Sequence, residues 1–70
     1  MLNIGTLKFY DTACGFGLIE LDAGGTDVYV DVSALRQSGL GEIVEGQRLI
    51  FDLVTDSRTG RRAAAFLRLL

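Results

Sequence analysis

The sequence predicts a small all-β protein, a five-stranded antiparallel barrel, and three observations favour this fold class. Segments of alternating apolar and polar residues recur at short intervals, helix signals are nearly absent, and most connections are short and polar or rich in glycine. Closing the sheet into a barrel removes most of its unpaired edges, which suits a chain with many β-branched and aromatic residues. Seventy residues without a linker or an internal repeat indicate one domain over residues 1–70.

Five strands follow from this alternation. They cover residues 3–11, 16–21, 27–32, 47–55 and 62–69. Residues 63–67 also have a composition that is common in helices. That segment is short and follows a hairpin-like turn, so a strand is the preferred interpretation.

The connections between the strands contain residues that favour turns. Glycine supplies positive φ at low cost, so residues 22–26 are expected to form a turn, and the polar residues 56–60 to form another. Ser33 offers an N-cap for one short 3-10 turn that ends at Arg36 or Gln37.

The second and third strands present two different faces, because successive side chains of a strand alternate. One face takes Ile19, Leu21, Val28, Val30 and Val32. The other takes Phe16, Leu18, Glu20, Asp27, Tyr29 and Asp31. If the two strands pair as a hairpin, Phe16, Leu18 and Tyr29 lie together on the outer face. Exposed aromatic rings on a sheet are one physical solution to binding unpaired bases.

The charge distribution is uneven. A net charge of −2 gives no support for nucleic-acid binding, which usually shows as a basic stripe. Four arginines nevertheless fall within the last thirteen residues, which contain no acid: Arg58, Arg61, Arg62 and Arg68. A local positive patch on an acidic protein is compatible with this clustering.

Several classes of chemistry are disfavoured by composition. One cysteine and no histidine exclude an internal disulfide and a Cys/His metal cluster, so neither metal nor cofactor is expected. Cys14 is not expected to be redox-active, because only Lys8 could lower its pKa and Asp11 opposes that effect. Asp27 and Asp31 share a face, but a flat barrel surface offers no pocket for acid–base chemistry, so no enzyme activity is expected.

The sequence also bears on location. Its start lacks the basic and apolar regions of a signal peptide, and no apolar stretch approaches the ~20 residues of a membrane helix. We therefore expect a cytoplasmic protein without membrane contact.

Four segments, in order, resemble the cold-shock domain, a five-stranded OB-type barrel. Residues 5–11 (GTLKFYD) are similar to the family's opening GTVKWFN, and residues 15–19 (GFGLI) to its first RNA-binding signature, GFGFI. Residues 27–35 (DVYVDVSAL) resemble the second signature, DVFVHFSAI, and residues 45–51 (EGQRLIF) resemble EGQKVxF. Each segment alone is weakly specific, but the ordered set covers nearly the whole chain.

The resemblance implies binding of single-stranded RNA or DNA with limited sequence preference, which prevents or melts RNA secondary structure or tunes gene expression. Bases would stack on exposed aromatic residues, with cations on the backbone. The implied site residues are Lys8, Phe9, Phe16, Leu18, Tyr29, Asp31 and Arg58. Phe9 occupies the position of a base-stacking tryptophan, and Arg61 and Arg62 cluster with Arg58 beside the implied binding face.

Five positions depart from the family pattern. Cys14 replaces a lysine, Leu18 and Val32 replace phenylalanines, Asp31 replaces a histidine, and Leu40 stands where an aromatic residue is usual. Base–aromatic stacking is worth about 1–3 kcal/mol per base, so losing two contacts costs roughly 2–6 kcal/mol if they add. The departures therefore predict weaker binding than is typical of the family.

An alternative interpretation is a protein-interaction or self-association module. The implied face is more aliphatic and more acidic than the family's, and residues 66–70 are largely apolar. Apolar surface commonly marks a protein contact, and exchange of strands is a low-cost route to a homodimer. Salt-dependent binding to an oligonucleotide separates the two interpretations, since phosphate contacts impose a steep salt slope.

Overall fold

A computed structural model describes residues 2–70 and contains a closed five-stranded barrel with one short helix. The elements are β1 (Leu2–Asp11), β2 (Phe16–Leu21), β3 (Val28–Asp31), α1 (Val32–Gln37), β4 (Arg48–Thr55) and β5 (Arg62–Leu69). The all-β barrel is confirmed, and β2 and β5 have the bounds that the sequence predicts. The segment of ambiguous composition is part of a strand, β5.

The strands lie in the order β1-β2-β3-β5-β4 around the barrel. Every neighbouring pair is antiparallel except β3 and β5, which run parallel with one registered pair, Tyr29 with Ala63. The sequence prediction of an antiparallel barrel agrees with this arrangement, in which four of the five strand contacts are antiparallel. Directions cannot alternate around a closed ring with an odd number of strands, so one contact in such a ring must be parallel.

The interior of the barrel holds the apolar core, which all five strands supply. Its members are Leu7, Ile19, Leu21, Val28, Val30, Leu35, Ile43, Leu49, Phe51, Ala64 and Leu67. Phe51 is the largest of the fully buried side chains and lies on β4. Leu35 of α1 and Ile43 of the following loop extend the same core beyond the strands.

The segment after β3 differs from the prediction in three respects. It is a six-residue α-helix rather than a 3-10 turn, and its N-cap is Asp31 rather than Ser33. The Asp31 carboxylate accepts a hydrogen bond of 2.9 Å from the backbone N–H of Ala34. Because the helix begins at Val32, this residue leaves the alternation of β3. Val32 is 37% exposed instead of sharing the buried face of Val28 and Val30.

Candidate nucleic-acid interface

Three aromatic side chains from adjacent strands meet on the outside of the barrel. The rings of Phe16 on β2 and Tyr29 on β3 are stacked, with centroids 5.7 Å apart and planes inclined by 14°. Phe9 on β1 meets Phe16 edge-on, with centroids 5.8 Å apart. Leu18 pairs with Tyr29 in the β2–β3 register and is half-buried. We call Phe9, Phe16, Leu18 and Tyr29 the aromatic face.

Phe9 reaches the aromatic face because β1 has a bulge. The β1–β2 register passes from Leu7 opposite Ile19 to Phe9 opposite Leu18, so Lys8 is an extra residue in β1. Strict alternation after the buried Leu7 would turn Phe9 inward. The bulge instead leaves Lys8 and Phe9 both exposed, and Tyr10 packs against the core.

Gly17 permits the close approach of β1 and β2 beneath these rings. A Cβ atom at Gly17 would collide with the carbonyl oxygen of Phe9 and would lie 2.8 Å from Cδ1 of Tyr10. A side chain there would push the two strands apart. The second glycine of the first signature is therefore required by the close packing of β1 and β2 beside the aromatic cluster.

A shallow groove of about 500 Å³ extends from one side of the aromatic face. Leu18 and Tyr29 line it together with Thr26, Asp27, Gly60, Arg61 and Arg62. Arg58, the arginine implied by the resemblance, does not line this groove, and its Nε lies 3.6 Å from a carboxylate oxygen of Asp56. The structure thus brings Arg61 and Arg62 beside Tyr29, and the arginine cluster was the sequence signal for them.

Lys8, the other cation implied by the resemblance, has a partner within the chain. Its ammonium lies 2.8 Å from the carboxylate of Asp27. The hydrogen bond to Asp27, followed by the charge of that carboxylate, raises the pKa of Lys8 above its usual value. A phosphate at this position must therefore compete with Asp27 for an exposed cation.

Asp31 brings a negative charge to the edge of the aromatic face, opposite Phe16 in the β2–β3 register. One of its carboxylate oxygens caps α1, so part of its hydrogen-bonding capacity is used within the fold. Burial raises the pKa of the neighbouring Tyr10, and the charge of Asp31 adds to this effect. Tyr10 therefore remains a neutral phenol at physiological pH.

A second groove, of about 460 Å³, lies between β1, α1 and the loop that follows α1. It is lined by Tyr10, Thr12, Val32, Leu35, Arg36, Leu40, Gly41, Glu42, Ile43 and Val44. Val32 joins it to the region of Phe16, because the Val32 N–H donates to the carbonyl oxygen of Gly15. Two of the residues that depart from the family pattern, Val32 and Leu40, thus line one aliphatic groove. Sequence reasoning did not assign Tyr10 or Ile43 to a site, since a core role explains both.

No other reactive centre emerges from residues 2–70. Cys14 is exposed, and a hydrogen bond with Asp11, followed by the charge of that carboxylate, raises the pKa of its thiol, which disfavours the reactive thiolate. Within this part of the chain, no group of three or more His, Cys, Asp or Glu residues could hold a metal ion. None of its helices is long and apolar enough to cross a membrane.

A closed barrel that clusters exposed and half-buried aromatic rings on the outside of adjacent strands, with arginines beside them, has the features of a nucleic-acid-binding β-barrel. The chain belongs to the cold-shock domain family, since the family model for the 'Cold-shock' DNA-binding domain matches residues 3–69. The resemblance found in the sequence is confirmed. Proteins of this family bind nucleic acid and are not enzymes, so the chain is a cold-shock-type nucleic-acid-binding protein.

Curated bacterial relatives agree with the family match. The chain is 42% identical to cold shock protein CspA of Rhizobium meliloti over 67 residues, which cover 96% of this chain and 97% of that protein. It is 40% identical to cold shock-like protein CspC of Bacillus cereus, over 93% of this chain and 97% of that protein. Cold shock protein ScoF of Streptomyces coelicolor is 39% identical, over 84% of this chain and 87% of its own length.

Proposed function

We propose that the protein binds single-stranded RNA or DNA with little sequence preference and with lower affinity than is typical of its family. The observation that supports this most is the cluster of Phe9, Phe16 and Tyr29 on the outside of three adjacent strands, in which Phe9 is exposed and the other two rings are half-buried. Every base has a π-face, so stacking on such rings tolerates any sequence.

The nearby cations complete the proposed interface. Arg61 and Arg62 line the groove next to Tyr29, where they reach the phosphates of a strand whose bases lie on the rings. Lys8 contributes less because Asp27 already pairs with it. Arg58 extends into solvent beyond the groove and acts mainly by attracting the strand at longer range.

Lower affinity follows from the aliphatic and acidic positions around the cluster. Leu18, Val32 and Leu40 offer apolar contact but no ring on which a base stacks, at about 1–3 kcal/mol per base. Asp31 adds repulsion toward phosphates at the edge of the aromatic face. The loss of two rings would cost at most roughly 2–6 kcal/mol of binding free energy, because leucine and valine still make apolar contacts with a base.

Such binding keeps RNA unstructured by a shift of populations. A protein that binds only the unpaired state of an RNA draws molecules out of the paired state, to the extent of its affinity for the unpaired one. This mechanism requires neither ATP nor a catalytic residue. In this role the protein acts in the cytoplasm on transcripts and tunes gene expression as part of a stress response.

A fluorescence-anisotropy titration of a labelled, unstructured pyrimidine-rich hexamer at low and moderate salt tests this function. We expect salt-dependent binding. Phe16→Ala and Tyr29→Ala should each weaken it by about fivefold to about 150-fold, the equivalent of about 1–3 kcal/mol. Phe66→Asn is a matched control, because it removes an exposed ring that lies outside the aromatic face and should leave hexamer affinity unchanged.

The absence of hexamer binding at low salt would contradict the proposal. It would instead favour a protein-interaction module that uses the aliphatic groove of Tyr10, Val32, Leu40 and Val44. Salt-dependent binding that survives both alanine substitutions would place the interface elsewhere on the barrel.

A further inference from the structure

Phe66 has the least expected conformation in the described chain. It is the only non-glycine residue of 2–70 with positive φ, at 52°, and its side chain is 72% exposed. The left-handed region disfavours residues with a Cβ atom, and glycine or asparagine occupies it more readily than a bulky aromatic. An exposed phenylalanine therefore meets two unfavourable conditions at once.

A bulge in β5 explains the backbone at Phe66 but not its aromatic side chain. The β4–β5 register passes from Ala65 opposite Asp52 to Arg68 opposite Ile50. Phe66 and Leu67 together occupy the space between these two pairs. The bulge places Leu67 in the core and directs Phe66 outward, a task that asparagine would perform with less strain.

Phe66 borders a surface depression of about 360 Å³. The depression is lined by Leu2, Gln37, Ser38, Asp52, Phe66, Leu67 and Arg68, and we call these residues the Phe66 surface. Leu2 is 56% exposed and stands opposite Asp52 in the β1–β4 register. The Ser38 hydroxyl accepts a 2.8 Å hydrogen bond from the Leu67 N–H, which ties the end of α1 to β5. The Phe66 surface thus combines a protruding ring with a recess beside it.

The charges of this surface are complementary to each other. Asp52 and Arg68 both line the depression, and no ion pair within residues 2–70 engages either side chain. A two-fold axis places a surface against its own copy, so residue i contacts residue j and j contacts i. An axis that passes between Arg68 and Asp52 would bring Arg68 of each chain toward Asp52 of the partner subunit.

We propose that the Phe66 surface binds a second copy of this chain in a two-fold symmetric dimer. The ring of Phe66 from each chain enters the depression of the other, and the two Arg68–Asp52 pairs flank the apolar centre. Standard interfaces bury about 800 Å² per partner. The whole chain exposes 4511 Å², so a dimer of this size covers a modest part of each barrel.

The Phe66 surface and the aromatic face share no residue, so the proposed contact uses none of the side chains of the aromatic face. Two aromatic faces would then be joined in one particle. A strand long enough to reach both would bind more tightly than a hexamer, since the second contact becomes intramolecular. This consequence depends on the proposed function, whereas the dimer itself does not.

Sedimentation equilibrium from about 10 µM to about 1 mM protein tests the dimer by mass action. We expect the average mass to rise from 7.6 kDa toward twice that value. Phe66→Asn should weaken dimerisation by at least about tenfold, as expected for a central aromatic contact. Val54→Asn is the matched control, because Val54 is an exposed apolar residue of the same sheet outside the depression and should leave dimerisation unchanged.

A charge exchange distinguishes a second copy from an unrelated partner. Arg68→Asp and Asp52→Arg should each weaken the dimer, because each single change places like charges together. The variant with both changes should recover most of the association, because it restores two opposite-charge pairs across the axis. A constant mass of 7.6 kDa up to about 1 mM, or a dimer that Phe66→Asn does not weaken, would overturn the proposal.

Hexamer binding by the same variants separates this proposal from the proposed function. Phe66→Asn should lose the dimer and keep hexamer affinity, whereas Phe16→Ala should keep the dimer and lose affinity. Failure of one result leaves the other intact.

Discussion

The aromatic face and the Phe66 surface both expose phenylalanine, but the surrounding structure treats the rings differently. On the aromatic face, Phe9, Phe16 and Tyr29 contact one another, and the bulge at Lys8 brings Phe9 to the cluster. The second bulge presents Phe66, which has an unfavourable φ and contacts no other aromatic ring within residues 2–70. A bulge therefore changes the direction of a side chain, while the neighbouring residues decide what that side chain can bind.

The largest expected effect comes from the core that lies beneath both surfaces. Phe51→Ala removes the largest fully buried side chain and should lower the free energy of unfolding by about 3–5 kcal/mol. A domain of this size has little stability to spare, so both surfaces should be lost together. Thermal unfolding followed by far-UV circular dichroism measures the change. Cooperative unfolding at the wild-type midpoint would contradict this role of Phe51.

A substitution that adds a ring to the aromatic face should raise its affinity for the hexamer. Leu18→Phe adds a ring opposite Tyr29 in the register and beside Arg61, so hexamer affinity should rise by about tenfold, or about 1.4 kcal/mol. Ile4→Phe is the control, because it adds a ring to β1 where that strand pairs with β4. Anisotropy titration compares them, and equal affinities for wild type and Leu18→Phe would show that Leu18 does not limit binding.

The strain at Phe66 has a separate consequence for the monomer. Phe66→Asn should raise the free energy of unfolding by about 1 kcal/mol, because asparagine tolerates the left-handed region better than phenylalanine. Urea unfolding at a concentration below that of dimerisation measures this effect. If the variant is less stable than the wild type under these conditions, the Phe66 ring stabilises the single chain. The ring would then have a structural role in the monomer, as the rings of the aromatic face have with one another.

The smallest effect concerns the two turns next to these regions. A backbone hydrogen bond from Cys14, followed by one from its side chain, lowers the pKa of Asp11, and a backbone hydrogen bond from Arg58 lowers the pKa of Asp56. A lowered folded-state pKa means that the unfolded chain takes up protons first as pH falls. This stabilisation is therefore present above the usual carboxyl pKa of 3.8 and is lost as pH falls through the folded-state values.

The melting temperature measured between about pH 2 and pH 7 reports this loss. Asp11→Asn and Asp56→Asn should each flatten the decline below about pH 4, and the double variant should flatten it further. An unchanged acid profile in the double variant would assign the decline to other carboxylates.

Much of the fold follows from patterns that are local in sequence. Alternation places β2 and β5 correctly and separates Phe16, Leu18 and Tyr29 from the buried Val28 and Val30. The face that each of these residues occupies can be predicted, because one side of a strand is buried and the alternation of apolar residues in the sequence shows which side.

The sequence predictions differ from the structure where two neighbouring residues could each perform the same local role. Asp31 and Ser33 both have side chains that cap helices, and the choice of Asp31 moves Val32 out of β3. Alternation alone would also have turned Phe9 inward, so only the family resemblance placed it on the aromatic face. The positions of Arg61 and Arg62 depend on how β5 closes the barrel, which composition does not record.

The closing pair of Tyr29 with Ala63 also sets an order of events during translation. The ribosome makes β1, β2 and β3 first, and until β5 is synthesised, β3 retains an unpaired edge beside the aromatic face. Arg61 and Arg62 leave the ribosome together with the strand that covers this edge. The nascent chain therefore gains Arg61 and Arg62 and its closed barrel in the same step, and a chain that ends before β5 lacks both.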